Sequence, residues 1–216
     1  MDRRIPALMR AAAEESAMGI WAWFRGLLTV PRPHSVVEHE WGEIREWVNG
    51  DCRFVEWSAM MVDSWQELEP IVDPFLAASI ETIAAACPTE PVPWMVLRYN
   101  PLTGMLSVTS AAEPSSVEGS DRVELTLSSL FLEMQAERTY NESSNGSYDP
   151  LYDRVWQIVR KSLREGEASS KLAAARQVHP LRIVAFNSPS GCDDEPVGEM
   201  GEQDAAADGG RDTGSS

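Results

Sequence analysis

The sequence predicts an α+β fold: a single domain in which a small, mainly antiparallel sheet is packed by amphipathic helices. Three observations carry this reading. Two apolar runs flank the turn Asn100-Pro101-Leu102-Thr103-Gly104, as in a β-hairpin. Helical periodicity dominates two later stretches, around Asp73–Pro88 and Pro150–Glu167. Helical and strand-like segments are interspersed without internal repeat, which is the pattern of helices gathered on a sheet.

In chain order, Arg3–Leu28 reads as a helix rich in Ala and Met that ends in the aromatic cluster Trp21, Trp23 and Phe24; Pro31 and Pro33 stop it. In Ser35–Gly50, Val37, Trp41, Ile44 and Val48 recur at steps of four, three and four. With Ser35 as N-cap and Asn49-Gly50 as a stop, this stretch is expected to be an amphipathic helix. Arg53–Val62 alternates and is expected as a strand. Asp73 then caps a helix with Pro74 at its first position and Leu76, Ile80 and Ile83 on its apolar face. The hairpin follows, then a third strand at Asp121–Leu127, a helix over Ser128–Tyr140, and a polar loop at Asn141–Asp149.

Asp149 and Pro150 open a helix with Tyr152, Val155, Trp156, Val159 and Leu163 on one side. A shorter helix over Ser169–Val178 leads to a last strand, Leu181–Phe186. The hairpin is thus expected at the centre of a sheet, with helices bearing Trp41 and Trp156 against it. Residues 1–30 are expected as a helical appendage, 34–188 as the domain, and 189–216, acidic and without an aromatic residue from Gly191 onward, as a disordered tail.

A chain of 216 residues that is 43% hydrophobic can bury one sizeable core, and eight tryptophans can anchor it or an interface. The formal charge of −16 repels nucleic acid and anionic lipid, so direct binding of either is disfavoured. Eight acids against one Arg in Asp193–Ser216 account for part of the excess, and the body remains acidic. Cys52, Cys87 and Cys192 are odd in number and widely spaced, which fits a reduced, cytoplasmic setting better than a disulfide framework. The opening residues lead to the expectation of no secretory signal, and no run of about 18 apolar residues occurs in the sequence. The glycosylation patterns at Asn141 and Asn145 therefore carry little weight.

Chemical constellations are sparse. His34 and His39 stand five apart, off the spacing of a helical metal pair, so no metal or other cofactor is expected. Cys52 with His39 and Asp51, or Cys87 with His179, would supply a nucleophile and base, and define the alternative function: a small hydrolase or transferase. Cys87, on the last turn of an Ala-rich helix, is more simply a small core filler. Adjacent acids such as Glu38 and Glu40 follow from composition, and no glycine-rich phosphate loop follows a strand. Trp21, Trp23, Phe24, Leu27 and Leu28 suit core packing or protein docking better than a membrane surface, because their helix lacks a Lys/Arg-rich face.

What remains is acidity combined with aromatic content, a combination suited to a basic protein partner. In general character, residues 35–187 resemble the immunity proteins that bacteria make against their own secreted toxins, many of which mask basic nucleases. The resemblance carries over no functional residue. The expected function is a non-enzymatic acidic protein-binding module, an immunity-type inhibitor being one form of it. Its expected contacts are Glu38, Glu43, Glu46, Asp63, Glu67, Glu69, Tyr148 and Asp149.

Overall fold

The computed structural model describes residues 32–50, 52–86, 94–111, 123–178, 181–189 and 195–200. The proposed N-terminal helix with Trp21, Trp23 and Phe24, and the chain after Met200, lie outside the described residues, as do Asp51, Cys87, His179 and Cys192. The elements are β1 (Ser35–His39), β2 (Gly42–Asn49), β3 (Cys52–Ser58), α1 (Trp65–Ala86), β4 (Trp94–Asn100), β5 (Met105–Ala111), β6 (Val123–Ser128), α2 (Leu130–Glu142), α3 (Asp149–Glu165), α4 (Glu167–Val178), β7 (Arg182–Asn187) and β8 (Glu195–Glu199).

The fold is mixed α/β. Its eight strands form one sheet in the order β1-β2-β3-β6-β5-β4-β7-β8, so the sheet is larger than the small one expected. It is also less antiparallel: β3 pairs with β6 and β4 with β7 in parallel. Parallel neighbours need a crossover, and the helices supply it: α1 carries the chain from β3 to β4, and α2–α4 carry it from β6 to β7. Both crossovers run the same way across the sheet. Right-handed connection of parallel strands therefore sends both sets of helices to the same face.

The buried pattern agrees. Val55 and Trp57 of β3, Met95, Leu97 and Tyr99 of β4, Leu106 and Val108 of β5, Leu125 and Leu127 of β6, and Ile183 and Ala185 of β7 join Phe75, Leu76 and Ile80 of α1 and Trp156 and Val159 of α3 in one core. Aromatic side chains line it. Trp57 meets Phe75 edge-on at 5.8 Å, and all four tyrosines form a row from the surface inward: Tyr140 to Tyr148 at 5.5 Å, Tyr148 to Tyr152 at 6.4 Å, Tyr152 to Tyr99 at 5.8 Å. At the inner end, the Trp156 indole N–H donates to Asn187 Oδ1 at 2.7 Å.

The β4–β5 hairpin lies near the centre of the sheet, and its turn is built as the sequence implies. Asn100 Oδ1 accepts from the Leu102 N–H at 3.0 Å, Pro101 opens a single 3₁₀ turn, and Gly104 closes it at φ 56°, a conformation that disfavours a side chain.

Three expectations are corrected. Ser35–Gly50 is a β-hairpin, β1 and β2, in place of a helix, and Trp41 sits in its turn. The helical spacing there is coincidental. Val36, Val37, Ile44, Trp47 and Val48 are β-branched or aromatic, and Gly42, at φ 146°, lies where any side chain would strike the Ser58 carbonyl of β3. Second, α1 begins at Trp65, so Asp73 and Pro74 are interior to it and Pro70 lies inside as well. The carbonyls that Pro70 and Pro74 leave without an intrahelical partner belong to Gln66 and Pro70, both exposed residues on the solvent side of the helix. Third, the ordered domain continues past residue 188. Glu195–Glu199 adds strand β8 to β7, and Met200 is buried in the core.

Candidate functional site

Because the helices occupy one face, the other presents its alternate side chains without a described helix over them. Register defines this face row by row, since side chains of paired residues point the same way. One row runs Val36, Arg45, Glu56, Thr126, Ser107, Arg98, Phe186 and Pro196 across all eight strands. The next runs Trp47, Phe54, Glu124, Thr109, Val96, Val184 and Glu199.

The two rows make a polar strip between aromatic flanks. On the β2–β3 side, Trp47 and Phe54 are tilted against one another at 5.3 Å. On the β4–β7 side, Arg182 lies 4.2 Å over the Trp94 ring and Arg98 5.6 Å over the Phe186 ring, while Arg98 also donates to Thr109 Oγ1 at 3.3 Å. Val96, Ala111 and Val184 form a small cluster beneath Trp94 and Phe186, separate from the main core.

Charge on the β2–β3 side of the strip is arranged around the Arg45 guanidinium. Arg45 pairs with Glu43 on its own strand, and its register partner on β3 is Glu56. Burial raises the Glu56 carboxyl above the usual carboxylate range; Arg45 opposes the rise and Glu43 adds to it. Two carboxylates thus stand beside one cation, and burial makes the charged form of Glu56 costly. The arrangement suits a cation arriving from outside, next to flat aromatic surfaces on which an apolar or aromatic side chain can lie.

The residues expected to contact a partner fall in three places. Glu38 and Glu43 are in register on the helix-free face. Glu46 points to the other side, where it accepts from Arg53 at 2.6 Å and from Ser35 Oγ at 3.2 Å. Asp63, Glu67 and Glu69 gather at the start of α1. Glu67 accepts from the Asp63 N–H at 3.0 Å, and Glu69 is paired with Arg154 at 2.6 Å and Lys161 at 3.6 Å. Tyr148 belongs to the tyrosine row, and Asp149 opens α3 beside it. Glu43, Glu46 and Glu69 are therefore already engaged within the chain.

His39 and Cys52 are not brought together. His39 stacks on Trp41 at 4.6 Å in the β1–β2 turn, whereas Cys52 pairs with Asn49 at the opposite end of β2, some 24 Å away at about 3.4 Å per residue. Among the described residues no group of three or more His, Cys, Asp or Glu is placed to hold a metal ion, and no helix is long and apolar enough to cross a membrane. A separate groove of about 500 Å³ runs between α1 and α3, bordered by Gln66, Glu69, Pro70, Asp73 and Lys161.

Sequence reasoning missed Glu56, Arg98, the Trp47–Phe54 pair, and Trp94 and Phe186 on the far side of the strip. A signal existed: Phe54 and Glu56 alternate with Val55 and Trp57 on a strand, so both belong to its second face. That this face would lie opposite the helices follows only from the crossover topology. Compared with known proteins, the chain matches no family model, no curated protein and no solved structure.

Proposed function

We propose that the chain is a non-enzymatic protein-binding module that takes a basic segment of another protein on the helix-free face of its sheet. One observation carries the reading: Glu56, its pKa raised by burial with Arg45 opposing the rise, stands beside Phe54 of the Trp47–Phe54 pair on β3, while Trp94 and Phe186 pack on the Val96 cluster across the strip. An arginine or lysine of the partner would meet Glu56 and Glu43, and apolar side chains beside it would lie on the aromatic flanks. The net charge of −16 favours encounter with a basic protein. An inhibitor that masks a basic toxin or nuclease, as immunity proteins do, is the form of module this combination suits best. The form of the hydrolase alternative built on Cys52 and His39 loses its support with the separation of these two residues.

The test uses the full chain as bait in a lysate of the source organism, at low and at high salt, alongside Glu56→Lys and, as control, Glu142→Lys on the exposed side of α2. The expected result is a basic protein retained at low salt by the wild type and the control, and lost with Glu56→Lys. No retained protein, or equal retention by both variants, would refute the reading.

A further inference from the structure

We propose that Tyr140 and Tyr148 form an oxidative-coupling site, at which a one-electron oxidant joins the two rings as dityrosine and closes the connection between α2 and α3 into a covalent ring. The site lies on the helix side of the sheet and is independent of the partner proposed for the other face.

The chain has four tyrosines, all in one row, so three neighbouring pairs compete. Coupling joins two phenols edge to edge through the carbons beside each oxygen, with a modest twist between the ring planes. Tyr140 and Tyr148, 5.5 Å apart and 32° from parallel, stand near that arrangement. Tyr148 with Tyr152, at 79°, and Tyr152 with Tyr99, at 86°, are T-shaped, so the edge of one ring meets the face of the other. Burial raises the ionisation of Tyr148, and Tyr140 raises it further, as neighbouring hydroxyls do.

Proton exit separates the pairs again. An oxidised phenol that keeps its proton is a cation, which burial disfavours, so a stable radical forms where the proton can leave to water. Tyr140 is 38% exposed and Tyr148 is half-buried, whereas Tyr152 is 5% and Tyr99 0% exposed. Both criteria select the outer pair.

The loop between the helices holds the two rings together. Gly146, at φ 68°, lies so close to the Tyr140 ring that a Cβ there would stand 2.9 Å from Cε2. The Gly146 N–H donates to Ser143 O at 3.4 Å, the Ser147 N–H to Ser143 Oγ at 3.1 Å, and the Asp149 N–H to Ser147 Oγ at 3.0 Å. These turns return Tyr148 to Tyr140, so little chain entropy is left to lose on coupling.

The step balances as follows. Each phenol gives one electron to the oxidant and its O–H proton to water, which leaves two tyrosyl radicals. A carbon–carbon bond then forms between one ortho carbon of each ring; each of these carbons gives up its hydrogen as a proton, and each oxygen takes one back. In sum, two electrons pass to two equivalents of oxidant, two protons pass to water, and the linked rings are two hydrogens lighter. An activated haem peroxidase or a photogenerated metal complex is an oxidant of the required class.

The probe is photogenerated tris(bipyridyl)ruthenium(III), with persulfate as the electron sink, applied to the full chain as an equal mixture of ¹⁴N- and ¹⁵N-labelled protein. Digestion after Arg and Glu is expected to yield residues 139–142 joined to residues 143–154, both from one isotopic form. Tyr140→Phe and Tyr148→Phe should each abolish this product, and Tyr152→Phe should leave it. Gly146→Ala should lower its yield several-fold by pressing on the Tyr140 ring, at unchanged far-ultraviolet circular dichroism. If Gly146→Ala is unfolded, the three Phe variants, which lose only a hydroxyl, decide alone. A product through Tyr152, a product joining the two isotopic forms, persistence in Tyr140→Phe or Tyr148→Phe, or full yield in folded Gly146→Ala would each overturn the proposal. So would the absence of product under conditions that couple free tyrosine.

Discussion

Asp73 and Gly166 fit together only because Gly166 has no side chain. A Cβ there would run into the Asp73 carboxylate, whose oxygens accept the N–H groups of Glu167 at 2.8 Å and Ala168 at 3.1 Å. Asp73, midway along α1, thereby caps α4, a helix far away in sequence, and places a negative charge at its positive end. Asp73→Ala is expected to cost about 1–2 kcal/mol in urea unfolding, as loss of a cap does. Gly166→Ala should cost at least as much, and the double variant less than the sum of the two, since both break one joint. Full additivity would mean that the two residues act separately.

Glu56 sets a trade between fold and recognition. Its pKa is raised by burial, so below its unfolded value the protonated group costs nothing, and as pH rises through the folded value ionisation removes stability. Glu56→Gln should therefore stabilise the protein at pH 7, by on the order of 0.5 kcal/mol, and give no gain at pH 4. The same change should weaken capture of a basic partner. Thermal melts at the two pH values check the first part; a gain that persists at pH 4 would rule out ionisation as its source.

Tyr99 is 0% exposed, and among the described residues its hydroxyl has no hydrogen-bond partner. Burial pushes its ionisation well above the ordinary tyrosine range, and neighbouring Tyr152 and Tyr148 push the same way. Stability from this group is complete below about pH 10, the unfolded value, and falls by about 1.4 kcal/mol per pH unit above it, because the unfolded chain loses the proton first. Tyr99→Phe is expected to be neutral at pH 7 and to lessen the decline above pH 10. An identical alkaline slope in wild type and variant would contradict this.

Asn187→Leu would leave the Trp156 indole N–H, now bonded at 2.7 Å, buried without an acceptor. The expected cost is about 1–3 kcal/mol, read from denaturant midpoints. Trp156→Phe made in that background should be nearly free of the polar part of the penalty. Equal costs of Trp156→Phe in both backgrounds would show that the bond contributes nothing.

Elements defined by their own neighbours in sequence were legible. The hairpin turn at Asn100–Gly104 needed only Asn, Pro and Gly at their places, and α3 needed only the spacing of Tyr152, Val155, Trp156, Val159 and Leu163. Ser35–Gly50 failed because one set of apolar residues satisfies a helical repeat while another, Val36, Ile44, Trp47 and Val48, prefers a pleated backbone; pairing with β3 decides between them. Asp73 was legible as a cap but not as the cap of a remote helix, which only packing reveals. Alternation marked Phe54 and Glu56 as the second face of their strand, but the strip from Glu56 to Arg98 could not be assembled from the sequence, since register across β3, β6, β5 and β4 builds it.

The topology also sets an order of events. The pairings within β1–β2–β3 and within β4–β5–β6 close short loops, whereas the seams Arg53–Val123 and Trp94–Arg182 join residues remote in the chain. Loop-closure entropy makes such seams slow, so folding is expected to proceed from two local meanders to a late zippering of their parallel edges. Val55→Ala and Val184→Ala, at the seams, should then mainly speed unfolding, while Leu106→Ala in the hairpin should mainly slow folding. Stopped-flow rates that reverse this assignment would place the parallel seams in the nucleus.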